Sequence, residues 1–206
     1  MTQLWLIRHG ETPLNVARVL QPANTPLSAR GQAQAQALAR RMAGVGLAGI
    51  LSSDLPRAAQ TAQAMAAVTG LAVSHSALLH ERNFGDLRGL AYDSLGFDPL
   101  SSDAAPPGGE SKAQFSARCA AAWTALLAHA ATLDGPLAVV SHGLVIREWL
   151  HTGPLRLAAG QVAPERLANT AVTVAAMAAP HWVSVLNCTA HLDGATAEDG
   201  ASLSGG

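Results

Sequence analysis

The chain has 206 residues, 49% of them hydrophobic and 13% charged, and a formal net charge of −1 at pH 7. This length is sufficient for one α/β domain with a substantial core, and the lack of a basic block argues against a nucleic-acid partner. The longest apolar run, 171–179, is too short to span a bilayer, and the two cysteines form no CxxC pair. We therefore expect a cytoplasmic protein with reduced thiols and no membrane partner.

Short apolar runs alternate with longer alanine-rich stretches, which is typical of strands that alternate with helices. Asp54 is a candidate N-cap for one of these helices, and Ser111 with Gln114 has the spacing of a capping box. In chain order, the pattern predicts strand 3–7, helix 28–42, strand 49–51, helix 54–69, strand 71–74, helix 111–132, strand 137–140, helix 145–151 and strands 172–177 and 182–186.

These elements predict an α/β fold, a three-layer αβα sandwich with a mostly parallel central sheet and one antiparallel edge strand. The last two strands are separated by only 178–181, so they should pair as an antiparallel hairpin. Residues 1–192 should form a single domain. Segment 96–109 is rich in proline and glycine and should be a surface loop, and the small, polar tail 193–206 should be disordered.

Charged and imidazole side chains follow three of the predicted strands. Strand 3–7 is followed by Arg8-His9-Gly10, strand 137–140 by Ser141-His142-Gly143, and strand 49–51 by the segment from Ser52 to Arg57. Ligands of open α/β sheets bind beyond the carboxyl ends of the strands. If these strands are parallel, two histidines and two arginines meet at one edge of the sheet.

Two histidines and two arginines, without a thiol or an acidic cluster beside them, favour phosphate chemistry over metal binding. Guanidinium groups match phosphate oxygens bidentately. A neutral histidine is a competent nucleophile near pH 7 and can form a covalent intermediate. We therefore expect no metal ion and no cofactor, because the arginines already supply the positive charge.

These motifs resemble those of the histidine phosphatase superfamily, also called the phosphoglycerate mutase-like superfamily, and specifically its small phosphatase branch. The resemblance extends from Leu6 to about Leu192 and rests on an ordered series of motifs. They are Leu6-Ile7-Arg8-His9-Gly10-Glu11-Thr12, Asn15, Pro26-Leu27-Ser28 with Gly31, Ser53-Asp54-Leu55, Arg57-Ala58 with Thr61, Glu81 with Gly85 and Gly89, Gly109-Glu110-Ser111, and Ser141-His142-Gly143.

The resemblance implies a role for each matching position. His9 accepts the phosphoryl group, and Glu81 protonates the leaving oxygen and then activates water. Arg8, Arg57 and the catalytic His142 surround the phosphate oxygens and stabilise the charge that builds up in transfer, and Asn15 adds a neutral hydrogen bond to the same phosphate. Considered without the resemblance, Glu81 could be a solvated glutamate near a loop, although this interpretation is the less favoured one, and Asn15 could simply stabilise the turn after the first strand.

The implied activity is that of a histidine acid-type phosphatase, a phosphoric monoester hydrolase, acting on a small phosphorylated metabolite. The short segment 92–109 and the polar tail favour hydrolysis, because a mutase must shield its phosphohistidine from water. Against this, Glu81-Arg82-Asn83-Phe84-Gly85 resembles the mutase version of the motif, and Arg82 could contact a carboxylate or a second phosphate.

A cofactor-dependent phosphoglycerate mutase is therefore the alternative. A non-catalytic phospho-ligand binder is less favoured, since every expected reactive position is present. The identity of the substrate depends on loops whose composition does not reveal it. Exposed alanine-rich helix faces would permit a homodimer.

Overall fold

A computed structural model describes residues 2–194, 196 and 203, and these residues form a six-stranded sheet with helices on both faces. The strands are β1 Gln3–Arg8, β2 Gly49–Ser52, β3 Val73–His75, β4 Leu137–Ser141, β5 Val172–Ala176 and β6 Val183–Cys188. The helices are α1 Pro13–Val16, α2 Ala29–Met42, α3 Pro56–Thr69, α4 Lys112–Ala130 and α5 Gly143–His151. Short 3₁₀ turns span Ala77–Leu79, Gly85–Leu87 and Tyr92–Ser94. Each strand and helix predicted from the sequence is present.

The strand order in the sheet is β3-β2-β4-β1-β5-β6. The first four strands in this order are parallel, whereas β5 pairs antiparallel with both β1 and β6. The predicted hairpin and the predicted fold class are therefore confirmed. Strand β5 runs in the opposite direction one place inside the edge, and β6 at the edge again runs in the direction of β1.

The alternation of side chains along the central strands divides the core into two halves. Leu4 and Leu6 of β1 pack with Trp123 of α4 and Trp149 of α5 on one face of the sheet. On the other face, Ile7 and neighbouring strand residues pack with apolar residues of α2 and α3. Because both faces are covered, β1 and β4 are buried along nearly their whole length. This is the three-layer arrangement that the sequence predicts.

The helix starts agree with the sequence in one of the two predicted cases. At α4 the capping box is present, with the Ser111 N–H donating to Gln114 Oε1 at 2.8 Å and the Gln114 N–H donating to Ser111 Oγ at 3.2 Å. The prediction for Asp54 is wrong, because the N-cap of α3 is Leu55. Pro56 restricts the residue before it to extended backbone, and the Asp54 carboxylate pairs with the His80 ring instead.

Two described residues of the tail are buried. The Thr196 carbonyl accepts a hydrogen bond of 3.0 Å from Gln34 Nε2, and Leu203 is 5% exposed within the core. The prediction of disorder for 193–206 otherwise falls mainly on residues outside the described part. Within the described ranges, none of the helices has both the length and the apolar character needed to cross a membrane.

Gly31 allows α2 to approach the loop that follows β1. A Cβ built on Gly31 would lie 1.9 Å from the Glu11 carbonyl oxygen, which is a backbone atom and cannot rotate away. The close approach is further held by the Ser28 N–H, which donates to the same carbonyl at 2.9 Å. The helix therefore fixes the backbone just beyond His9 and Gly10.

We predict that Gly31→Ala lowers the free energy of unfolding by at least about 2 kcal/mol, because the added methyl forces two backbone segments apart. Urea denaturation followed by circular dichroism would measure this change. Gly44→Ala is the matched control, since a Cβ there meets nothing within 4 Å. The control should be unchanged or slightly more stable. Equal midpoints for the two variants would contradict the proposed contact.

Candidate active site

The carboxyl ends of three parallel strands bring the predicted residues to one edge of the sheet. In the β1–β4 pairing Arg8 lies opposite Ser141, and in the β2–β4 pairing Ser52 lies opposite Val140. The three strands therefore end side by side, and the residues that follow them lie at the same edge of the sheet. The rings of His9 and His142 come to 5.1 Å between centroids, tilted by 58°.

His9 is buried and held in one tautomer. Its Nδ1 lies 2.7 Å from the Gly10 carbonyl oxygen, and because a carbonyl only accepts, Nδ1 carries the proton and Nε2 has the free lone pair. Burial lowers the pKa of His9 well below 6.5, and the positive charges of Arg57 and Arg8 lower it further. The ring is therefore a neutral base whose Nε2 can attack an electrophile.

The loop that carries His9 is fixed by hydrogen bonds from three directions. The Gly10 N–H donates to Thr61 Oγ1 at 3.0 Å, and the Thr61 hydroxyl donates to the Arg57 carbonyl at 2.7 Å. The His9 carbonyl accepts from Asn169 Nδ2 at 3.0 Å. The His9 N–H donates to the Ser141 carbonyl at 3.0 Å. The nucleophile is thus tied to α3, to β4 and to the segment before β5.

His142 is completely buried at the start of α5. Its Nε2 lies 2.9 Å from Ser53 Oγ, and its buried Nδ1 has no hydrogen-bond partner among the residues that the structure describes. Burial and the nearby charge of Arg57 lower the pKa of His142 well below 6.5. As a neutral ring with an uncommitted nitrogen, it can contribute a hydrogen bond to a bound anion.

Two arginines are buried at the same edge. Arg8 and Arg57 are each 1% exposed. Arg8 donates to the carbonyls of Leu167 and Leu203, whereas Arg57 donates to the Pro22 carbonyl over a long distance of 3.5 Å. Burial lowers the pKa of Arg57 to about 10, so its guanidinium still carries a positive charge at neutral pH. A buried guanidinium such as that of Arg57 favours an anionic ligand.

Asn15 stabilises the turn after the first strand, which is one of the two interpretations that the sequence allows. Its side-chain oxygen accepts from the Thr12 N–H at 3.1 Å and so caps α1. Its amide nitrogen donates to the Leu203 carbonyl at 2.9 Å, and its own carbonyl accepts from the Leu203 N–H at 2.8 Å. Since Arg8 also donates to Leu203 at 3.0 Å, a backbone carbonyl of the tail lies against two of the predicted phosphate ligands.

Glu81 is buried beside the edge, at 3% exposure. One carboxyl oxygen accepts from the Arg82 N–H at 3.0 Å and the other from the Leu144 N–H at 3.1 Å. These bonds and the charge of Arg57 favour the carboxylate, but burial outweighs them and raises the pKa of Glu81. The carboxyl group can therefore hold a proton at a pH where a solvated glutamate would have lost it.

Arg82 lies next to Glu81, but its guanidinium is directed into the following loop. It donates to the carbonyls of Pro99, Ser102, Ala104 and Glu110 at 2.9 to 3.4 Å. These hydrogen bonds occupy the donors that the sequence interpretation assigned to a substrate. The arrangement gives Arg82 the task of anchoring the segment predicted as a surface loop.

A cavity of about 380 Å³ opens beside Glu81. Its wall contains ionisable side chains from four parts of the chain, together with small and apolar residues. The lining residues are Ala23, Leu55, Ala77, His80, Glu81, Asn83, Arg88, Glu110 and Arg118.

Sequence reasoning assigned no role to several residues that position the site. Ser53 and Thr61 belong to the recognised motifs, but their contacts with His142 and Gly10 appear only in three dimensions. Asn169 is absent from the motifs at the carboxyl ends of the predicted strands, because it lies before a strand and not after one. Since β5 is antiparallel to β1, it is the start of β5 that lies at this edge, and a polar residue just before an antiparallel strand is the signal that would have revealed Asn169.

Comparison with known proteins gives a consistent family assignment. The model of the histidine phosphatase superfamily (branch 1) matches residues 4–189. A curated relative, the probable phosphoglycerate mutase GpmB of Salmonella paratyphi B, is 34% identical over 156 residues, which are 71% of this chain and 72% of the relative.

Two solved structures are similar over most of the chain. A mycobacterial glucosyl-3-phosphoglycerate phosphatase in complex with VO3 is 29% identical with a TM-score of 0.72, covering 85% of this chain and 91% of its own. The alpha-ribazole phosphatase of Shigella flexneri is 29% identical with a TM-score of 0.76, covering 92% of this chain and 98% of its own. The motif series, the fold and these matches show that the chain belongs to the histidine phosphatase superfamily.

Proposed function

We propose that this protein is a phosphomonoester hydrolase that acts through a covalent phosphohistidine on His9 and uses a small phosphorylated metabolite as its substrate. The observation that carries the proposal is the buried, neutral His9 with Nδ1 fixed on the Gly10 carbonyl, beside Arg8 and Arg57. Burial raises the pKa of Glu81, so its carboxyl group can supply the proton that the departing oxygen needs.

In the first step, His9 Nε2 attacks phosphorus while the bond between phosphorus and the ester oxygen breaks. Glu81 donates its proton to the departing oxygen, so that an alcohol leaves. The charge on the transferring phosphoryl oxygens is stabilised by Arg8, Arg57 and His142. A bound phosphate accepts from the same amide as the Leu203 carbonyl and therefore competes with it for Asn15.

In the second step, water attacks the phosphohistidine and the bond between phosphorus and Nε2 breaks. The Glu81 carboxylate accepts a proton from this water, which restores its acid form, and inorganic phosphate leaves. His9 returns to the neutral state that its surroundings favour. Each residue thus ends the cycle as it began, and neither step requires a redox partner.

The phosphatase neighbours and the short segment 92–109 support hydrolysis. The second candidate is a cofactor-dependent phosphoglycerate mutase, in which the phosphoryl group returns to another hydroxyl. The name of the curated relative favours this candidate, and so does Leu203, because a buried apolar residue beside Arg8 and Asn15 can help to exclude water.

We predict that His9→Ala lowers phosphate release at least about a thousandfold, because the residue that forms the covalent intermediate is lost. Release of inorganic phosphate from a panel of phosphomonoesters would measure the change, and acid-labile labelling would report the intermediate. His151→Ala is the control, since His151 is exposed on α5. Primer-dependent formation of 2-phosphoglycerate with little phosphate release would favour the mutase. If the wild type shows no turnover and His9→Ala keeps the ligand affinity of the wild type, the result would favour a non-catalytic binder.

The pH profile should be shifted to the acid side. His9 must be neutral, and its lowered pKa moves the acid limb below pH 6.5. Glu81 must be protonated in the first step, and its raised pKa extends activity upward until that proton is lost. Initial rates against pH on an alkyl phosphate would show activity falling as the pH rises through the pKa of Glu81.

Glu81→Gln should remove this basic limb and lower the rate on alkyl phosphates about a hundredfold to ten-thousandfold. In the first turnover, before water attacks the phosphohistidine, the loss should be much smaller on p-nitrophenyl phosphate, since nitrophenolate leaves without a proton. Glu165→Gln, at an exposed position, should preserve the wild-type profile. An equal loss on both esters in this first turnover would show that Glu81 is not the proton donor.

A further inference from the structure

The wall of the cavity beside Glu81 contains an arginine, Arg88, that forms an ion pair with none of the described carboxylates. His80 pairs with Asp54, and Arg118 forms a two-bond ion pair with Glu110 at 2.7 Å for each bond. Arg88 lines the same cavity, yet its guanidinium makes no hydrogen bond or salt bridge with any described residue, and its Nε is buried without a partner.

The acidic neighbour of Arg88 is already engaged. Glu110 accepts both bonds from Arg118 and a third of 2.9 Å from the Asn83 N–H. Arg118 also donates to backbone carbonyls, including that of His80 at 2.7 Å. Glu110 attracts Arg88 only at a distance. The remaining positive charge at this wall of the cavity therefore belongs to Arg88.

The backbone holds Arg88 in place beside the site. Its N–H donates to the Gly85 carbonyl at 3.1 Å, and the next residue, Gly89, donates to the Leu20 carbonyl at 2.7 Å. Gly89 has a φ of 88°, a conformation that side chains other than glycine rarely adopt. Arg88 is thus presented from a defined turn.

The charge of Arg88 acts on the catalytic edge. It is one of the charges that lower the pKa of Arg57, and burial lowers the pKa of Arg88 itself. Both effects disfavour the positive charge of Arg88. An anion bound between Arg88 and the transferring phosphate would relieve this repulsion.

We propose that Arg88 binds a carboxylate on the leaving part of the substrate, so that the enzyme acts on phosphomonoesters of small hydroxy acids. A single guanidinium matches a carboxylate in charge and in its two-oxygen geometry, whereas a second phosphate would need further donors. The donors of Arg82, the neighbouring arginine, are engaged in the loop. This assignment rests on the proposed phosphatase reaction.

The test compares D-3-phosphoglycerate with sn-glycerol 3-phosphate, which has a hydroxymethyl group in place of the carboxylate. We expect wild type to prefer 3-phosphoglycerate. Arg88→Gln should lower kcat/KM for it about tenfold to a hundredfold, mainly through KM. The value for glycerol 3-phosphate should change less than about threefold. Inhibition of p-nitrophenyl phosphate hydrolysis by each of the two compounds compares their affinities for wild type and for Arg88→Gln, even if neither compound is turned over.

Arg147→Gln is the matched control. Arg147 is a half-buried arginine of α5 that lines a separate cavity of about 330 Å³, and its Nε also lacks a partner. The substitution Arg147→Gln therefore removes one positive charge at another place, and kcat/KM for both substrates should stay at the wild-type value. Arg88→Lys should retain part of the preference for 3-phosphoglycerate.

The outcomes separate this inference from the proposed reaction. If wild type hydrolyses p-nitrophenyl phosphate but Arg88→Gln affects both three-carbon compounds equally, or neither, the carboxylate role of Arg88 is overturned and the phosphatase stands. A wild type that hydrolyses none of the three esters overturns the proposed reaction and with it the role of Arg88.

Discussion

The burial of positive charge beside two histidines governs the chemistry of this molecule. Arg8 and Arg57 are almost completely removed from solvent, and a buried guanidinium is costly unless carbonyls or anions surround it. Backbone carbonyls satisfy Arg8 to a greater extent than Arg57. In the proposed reaction, a dianionic phosphate meets the remaining part of this demand. Burial, reinforced by the positive charge of Arg57, lowers the pKa of both His9 and His142.

At Glu81, burial and the neighbouring polar groups act on the pKa in opposite directions. Two backbone N–H groups and a nearby arginine favour its charged form, yet burial raises its pKa. The surroundings of Glu81 therefore stabilise both its protonated and its ionised form, and a residue that acts first as an acid and then as a base in one cycle needs both. One of the two N–H groups comes from Leu144 in the first turn of α5, so the helix that follows His142 also holds the proposed proton donor.

The two arginines after Glu81 show how similar side chains acquire different tasks. Arg82 is 2% exposed, and the loop carbonyls surround its guanidinium. Arg88, six residues later in the chain, emerges from a 3₁₀ turn into the cavity, where the nearest acid is already paired. Anchoring the loop and selecting a substrate are thus separate tasks, because the first consumes hydrogen-bond donors and the second leaves them available.

The sequence by itself determined the order of the elements, the three-layer fold and the meeting of His9, Arg57 and His142. It could do so because apolar periodicity and strand-end motifs are local, and because parallel strands bring their carboxyl ends together. The family motifs added Glu81, whose burial the sequence did not reveal.

Only the tertiary structure decided the roles that depend on distant partners. The choice between Arg82 and Arg88 required the positions of the loop carbonyls and of Arg118. Leu203 reaches Asn15 across 188 positions of the chain, and Asn169 approaches His9 only because β5 runs antiparallel to β1. Hydrogen bonding and burial are set by packing between elements, and no local pattern of residue types encodes them.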